Sequence, residues 1–92
     1  METDDLRERY LKQKDKMSRV ISELQVLSNS NESNDFLSMA NNYFNDAAYF
    51  ESANNFILAF EAIVISWAYV DAGIKAGFFT VPEELKNYFT TE

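Results

Sequence analysis

Apolar positions along this chain recur at steps of three and four. In the first segment Leu6, Tyr10, Gln13, Met17, Val20, Leu24 and Leu27 fall at alternating spacings of four and three. That is a heptad seam, a narrow stripe on one helix, widened by Ile21 at its C-terminal half. Thr3 is placed to cap it, and Asp4 and Asp5 suit the positive end of the helix dipole. The second segment repeats Phe36, Ala40, Tyr43, Ala47 and Phe50, with Leu37, Phe44 and Ala48 beside them. In the third, "FILAFEAIVISWAYVDAGIKAGFF", a helical wheel gathers Phe56, Phe60, Ile63, Trp67, Val70 and Ile74 on one broad face. A stripe of small residues, Ala59, Ala62, Ser66 and Gly73, runs beside it and admits close helix approach.

The punctuation agrees with three helices. "SNSNESN", residues 28–34, reads as a polar loop with Asn34 as the next N-cap. "ANN", residues 53–55, makes a short break, since Asn tolerates the left-handed backbone that ends one helix and also caps the next. So short a connection makes its flanking helices antiparallel neighbours. Gly77 is a natural C-terminal stop. Thr80, Pro82, Glu83 and Glu84 then signal a short fourth helix whose Leu85, Tyr88 and Phe89 fold over Phe78 and Phe79.

The predicted fold is all-α: a three-helix up-and-down bundle with a short C-terminal fourth helix. It forms one domain, 1–92, with helices near 4–28, 35–52, 55–77 and 82–89 and no sheet. Trp67, Phe60, Ile63 and Val70 are expected deep in the core against Tyr43, Phe44, Ala47 and Phe50. The first helix, longer than the second, is expected either to overhang the hairpin with its first turns or to lie beside the rest of helix three, and its charged first half to fray or find a partner.

The third segment is apolar enough to raise a membrane span. A span needs about 20 consecutive apolar residues. The uncharged run inside this helix is only Ala62–Val70, bracketed by Glu61 and Asp71. A buried helix of a soluble bundle is the expectation, with no membrane partner. Its back face is unusually apolar for an exposed one, with Leu58, Ile65, Ala68 and Ala72 around Glu61.

Composition narrows the chemistry. There is no cysteine and no histidine, which excludes disulfides, thiolate metal sites and every histidine-dependent mechanism. Net charge is −7. Residues 1–20 are close to balanced and the remainder is strongly acidic, so a nucleic-acid partner is not expected. The N-terminus lacks the apolar core of a signal peptide, which points to the cytoplasm.

Few residues carry candidate chemistry. An antiparallel hairpin turning near 53–54 sets Asp46 level with Glu61 and Asp71 level with Asp35. Such carboxylates could hold Mg²⁺ or Ca²⁺, but without a loop or third ligand the plainer reading is a solvated acidic surface. No metal and no cofactor are therefore assigned. Asp71 and Lys75 are spaced as a surface ion pair. Tyr69, beside the small stripe, is the candidate ligand contact, with its hydroxyl near solvent or Asp46. No catalytic residue is assigned.

From Tyr43 onward, "YFNDAAYF", "AFEA" and "WAYVDAGIKAGFF" resemble the archaeal domain of unknown function 357 family. The matching residues are Asp46, Ala47, Tyr49, Phe50, Ala59, Ala62, Tyr69, Asp71, Gly73 and Gly77. The resemblance spans roughly residues 36–80 and departs at Asn54-Asn55, where the family commonly has a glycine-acid turn. It implies a three-helix up-and-down bundle in an archaeal cytoplasm, and no biochemical activity. The hairpin also looks like nucleotide-binding helical domains found beside nucleotidyltransferases, but the arginine-to-histidine motif of those that cleave RNA is absent.

Two functions follow as expectations. One is a non-catalytic protein-interaction or self-association module, a homodimer or a complex with another protein, using Leu58, Ile65 and Ala68 on the back of helix three, the N-terminal overhang of helix one, or both. The other is a nucleotide- or metal-binding accessory domain using the helix-borne carboxylates Asp46, Glu61 and Asp71.

Overall fold

A computed structural model describes residues 2–89, with side chains from Asp5 onward. Three long helices run up, down and up: α1 (Glu2–Glu23), α2 (Asn31–Ser52) and α3 (Phe56–Lys75). A 3-10 helix, Glu83–Tyr88, follows. α3 is central. It packs extensively on α2 and on α1, while α1 and α2 touch little.

The α2–α3 hairpin forms as its turn residues dictate. Asn54 takes φ +62°, in the left-handed region. The Asn55 side chain accepts the Leu58 N–H at 3.2 Å and caps α3. At the far end of α3, Gly77 has φ +83°. The Phe78 N–H donates to the Gly73 carbonyl at 2.8 Å and the Gly77 N–H to Ile74 at 3.1 Å. This pair of bonds is the Schellman stop that glycine permits.

The small stripe of α3 lies deepest. Ala59, Ser66 and Val70 are fully buried, with Ala62 and Ile63 nearly so. Ser66 donates to the Ala40 carbonyl at 2.7 Å, pinning α3 to α2 where both helices are narrow. Without that bond a buried hydroxyl would be costly.

Several expectations are corrected. α1 stops at Glu23, not near 28, and the chain then runs extended. Residues Gln25–Val26 (β1) pair antiparallel with Phe79–Thr80 (β2), in register Gln25↔Thr80 and Val26↔Phe79. The Leu27 N–H extends the ladder to the Phe78 carbonyl at 2.7 Å. The expectation of no sheet is therefore overturned by this two-residue ladder, although the fold remains all-α. Leu27, assigned to the helical seam, is 61% exposed as a result.

α2 begins four residues early. Ser30, not Asn34, is the cap. Its hydroxyl accepts the Ser33 N–H at 3.1 Å, and the Ser33 hydroxyl accepts the Ser30 N–H at 3.0 Å. Reciprocal bonds of this kind satisfy two orphan donors at once. With α1 and α2 both 22 residues long, α1 does not overhang; its first half lies beside α3, the other arrangement expected, with Tyr10 against Phe56 at 6.0 Å between ring centroids. The first half of α1 is docked, with Tyr10 fully buried and Leu6 half-buried. The expected Thr3 cap lies outside the described side chains.

Trp67 and Phe60 are also half-buried rather than deep. Trp67 stacks on Phe89 at 4.8 Å between centroids and tilts against Tyr88 at 6.1 Å. Its ring partners are in the C-terminal segment. That segment is a 3-10 helix over the α1–α3 groove, held by fully buried Leu85 and by the Arg19–Glu84 pair at 3.4 Å.

Candidate functional site

The carboxylates that sequence singled out do not converge. Asp46 and Asp35 are exposed on α2 and Glu61 on the outward face of α3. Asp46 and Glu61 make no hydrogen bond or ion pair with any described residue, and no group of three acids among the described residues could hold a metal. Asp71 is engaged in the expected surface pair, accepting Lys75 Nζ at 2.9 and 3.1 Å. Tyr69 is half-buried in an aromatic cluster on the α2–α3 seam. It stacks on Tyr43 at 6.2 Å and meets Phe36 edge-on at 5.7 Å. Its neighbours are rings, and Asp46 is not a hydrogen-bond partner.

Sequence reasoning missed one polar cluster. The Tyr10 hydroxyl donates to Glu51 Oε1 at 2.9 Å, or to the Ala47 carbonyl at 3.2 Å. Lys14 Nζ reaches the same Glu51 oxygen at 2.7 Å. The available signal was Tyr10 on a seam with Lys14 one turn later, since a buried tyrosine needs a polar partner. Burial first, and the Glu51 hydrogen bond second, push the Tyr10 phenol far above its usual range. The Lys14 hydrogen bond holds the Glu51 carboxyl below the usual carboxylate range, against a smaller opposing desolvation. Every group is committed to the α1–α2 joint, so the cluster is structural.

Its pH signature follows. A depressed folded value means that Glu51 stabilises the fold above the ordinary glutamate value of about 4.3. The contribution is lost as pH falls through the lowered folded value. Thermal melts from pH 7 to pH 3 are expected to show a steeper acid loss in the wild type than in Glu51→Gln. Parallel curves would mean that the joint does not depend on the charge.

What remains is a surface. The outward face of α3 presents Ile57 (63% exposed), Val64 (48%), Leu58 (38%) and Ile65 (37%), with Ala68 and Ala72 also exposed. Leu58, Ile65 and Ala68 are the three side chains that sequence placed there. Ile57 and Val64 extend the patch on one flank, and the apolar run itself contained that signal. The face has this character because α1, α2 and the C-terminal segment cover the other sides of α3. By length and composition α3 meets the requirements of a membrane span; here it is the helix on which the other two pack. Its outward face interrupts the apolar residues with Glu61 and ends at Lys75.

A family model described as a protein of unknown function, DUF357, matches residues 8–79. No curated protein matches. Among solved structures, protein AF1782 from Archaeoglobus fulgidus, assigned to the same family model, is similar in fold. The TM-score is 0.77 at 22% identity, covering 89% of this chain and all of that one.

Proposed function

This chain belongs to the DUF357 family of proteins of unknown function, and from that premise we propose that it is a non-catalytic helical interaction module that self-associates through the outward face of α3. The observation that carries the reading is the exposed apolar row Ile57, Leu58, Val64, Ile65 and Ala68 on one helix. Exposed apolar side chains gathered on one face of a small domain, here around Glu61, mark a contact site more often than singly scattered ones do. The absence of histidine and cysteine from the sequence and the scattered carboxylates support a role without chemistry. The setting proposed is an archaeal cytoplasm. The solved relative is archaeal, and the chain has no cysteine for the staples that small extracellular domains use.

Light scattering at micromolar concentration is the test. The wild type is expected above monomer mass. Ile65→Glu, which sets a charge in the middle of the row, is expected to be monomeric with unchanged helical circular dichroism. A strictly monomeric wild type would overturn the self-association reading.

A further inference from the structure

Along the outward face of α3, Leu58, Glu61, Ile65, Ala68, Ala72 and Lys75 stand at alternating steps of three and four, and all six are exposed. That spacing is the seam of a coiled coil. No described residue of the chain occupies it, because the helix turns its opposite side to α1 and α2. The row spans about 26 Å at 1.5 Å per residue. Resting on the self-association reading above, we propose that the occupant is a second copy of this chain, its α3 packed antiparallel about a two-fold axis passing between Ile65 and Ala68.

Three features of the row select this arrangement. The first is size. Full overlap of the six positions in antiparallel sense sets Ile65 against Ala68 of the second copy, Glu61 against Ala72, and Leu58 against Lys75. Each bulky side chain meets a small one or the flexible stem of a lysine, so the helices approach closely without overlap. Ile57 and Val64 flank the seam and add apolar surface at its edge.

The second feature is charge. In this register Glu61 is offset by three residues from Lys75 of the second copy, about 4.5 Å along the axis and within reach of the lysine stem. Lys75 keeps its in-chain partner Asp71 at 2.9 Å while its side chain is 57% exposed, so the ammonium has donors free on the outer side. A parallel pairing would instead stack Glu61 on Glu61 and Lys75 on Lys75, opposing like charges at both ends of the seam.

The third feature is symmetry. A two-fold axis needs one patch that complements itself. The row does: acid near one end, base at the other, and an isoleucine and a small residue either side of the centre. A lone helix pair of this length buries less than the ~1,600 Å² of a standard stable interface, which places the contact at the small end of specific interfaces.

The experiment is a charge exchange, read by sedimentation equilibrium on the full chain. Glu61→Lys alone, and Lys75→Glu alone, are each expected to weaken the dimer about tenfold or more, since two symmetry-related pairs turn repulsive together. The double variant Glu61→Lys with Lys75→Glu is expected to recover wild-type dimerisation. Single-cysteine variants then fix the register, because the chain has no cysteine of its own. A mixture of Ile65→Cys and Ala68→Cys chains is expected to oxidise mainly to the mixed disulfide. A wild type that dimerises while the double variant stays weak, or while Ile65→Cys couples chiefly to itself, would overturn the antiparallel register and leave self-association standing. A monomeric wild type would remove both.

Discussion

Tyr10→Ala is expected to lower the unfolding free energy by about 3–5 kcal/mol, the range for removing a buried aromatic ring from a core. The Tyr10 side chain is fully buried. Its ring tilts against Phe56 at 6.0 Å between centroids, where α1 crosses the start of α3. Its hydroxyl supplies an α1–α2 hydrogen bond, to Glu51 or to the Ala47 carbonyl. Truncation opens a cavity and leaves Glu51 with Lys14 alone. Tyr10→Phe keeps the ring and loses only the hydroxyl, so its cost is expected near 0.5–1.5 kcal/mol, roughly that of one hydrogen bond. A small domain has roughly 5–15 kcal/mol in all, so the alanine variant is expected to be partly unfolded in mild urea. Urea titrations followed by circular dichroism separate the two variants. An alanine variant within about 1 kcal/mol of the wild type would show that the first half of α1 is not docked, as the charge-rich sequence alone had suggested.

Gly73→Ala is expected to destabilise by about 1–3 kcal/mol through overpacking, in the opposite direction from the usual glycine-to-alanine change inside a helix. On an exposed helix that change gains up to ~1 kcal/mol of propensity. Here a methyl on Gly73 would overlap the ring of Phe79, which is 2% exposed and has nowhere to retreat. The clash outweighs the propensity. Gly73→Ala combined with Phe79→Leu is expected to lose less than the sum of the two single changes, because the leucine vacates the overlapping ring positions. Melting temperatures of the four proteins give the coupling. Additive losses would place Phe79 away from Gly73.

The central helix was legible because its instructions are local. Asn54 and Asn55 turn and cap it, Gly77 stops it, and the small residues between them mark its deepest face. The outward placement of Leu58, Ile65 and Ala68 was legible for the same reason, since a helical wheel needs only the helix itself. The rest depended on partners distant in sequence. The heptad of α1 continues through Leu27, and nothing in that segment says that the edge at Phe78–Thr80 will draw residues 25–27 into a ladder. Trp67 looked like the centre of the α2–α3 contact, but Phe89 is the ring that stacks on it. Tyr10 and Glu51 meet only once α1 has a register against α2, and that register is not written in either helix.

The ladder between residues 25–27 and 78–80 has a consequence for how the molecule assembles. The α2–α3 hairpin closes through a three-residue turn, which costs little chain entropy and suits rapid local zippering. α1 joins by contacts that span most of the sequence, such as Lys16 over Tyr88 at 5.4 Å. Its docking therefore closes the largest loop. The ladder sits where the α1–α2 connection meets the exit of α3, and acts as a clasp on that step. It holds the C-terminal end of α1 beside the exit of α3, while Tyr10, in the other half of α1, fixes the helix to α2 and to the start of α3.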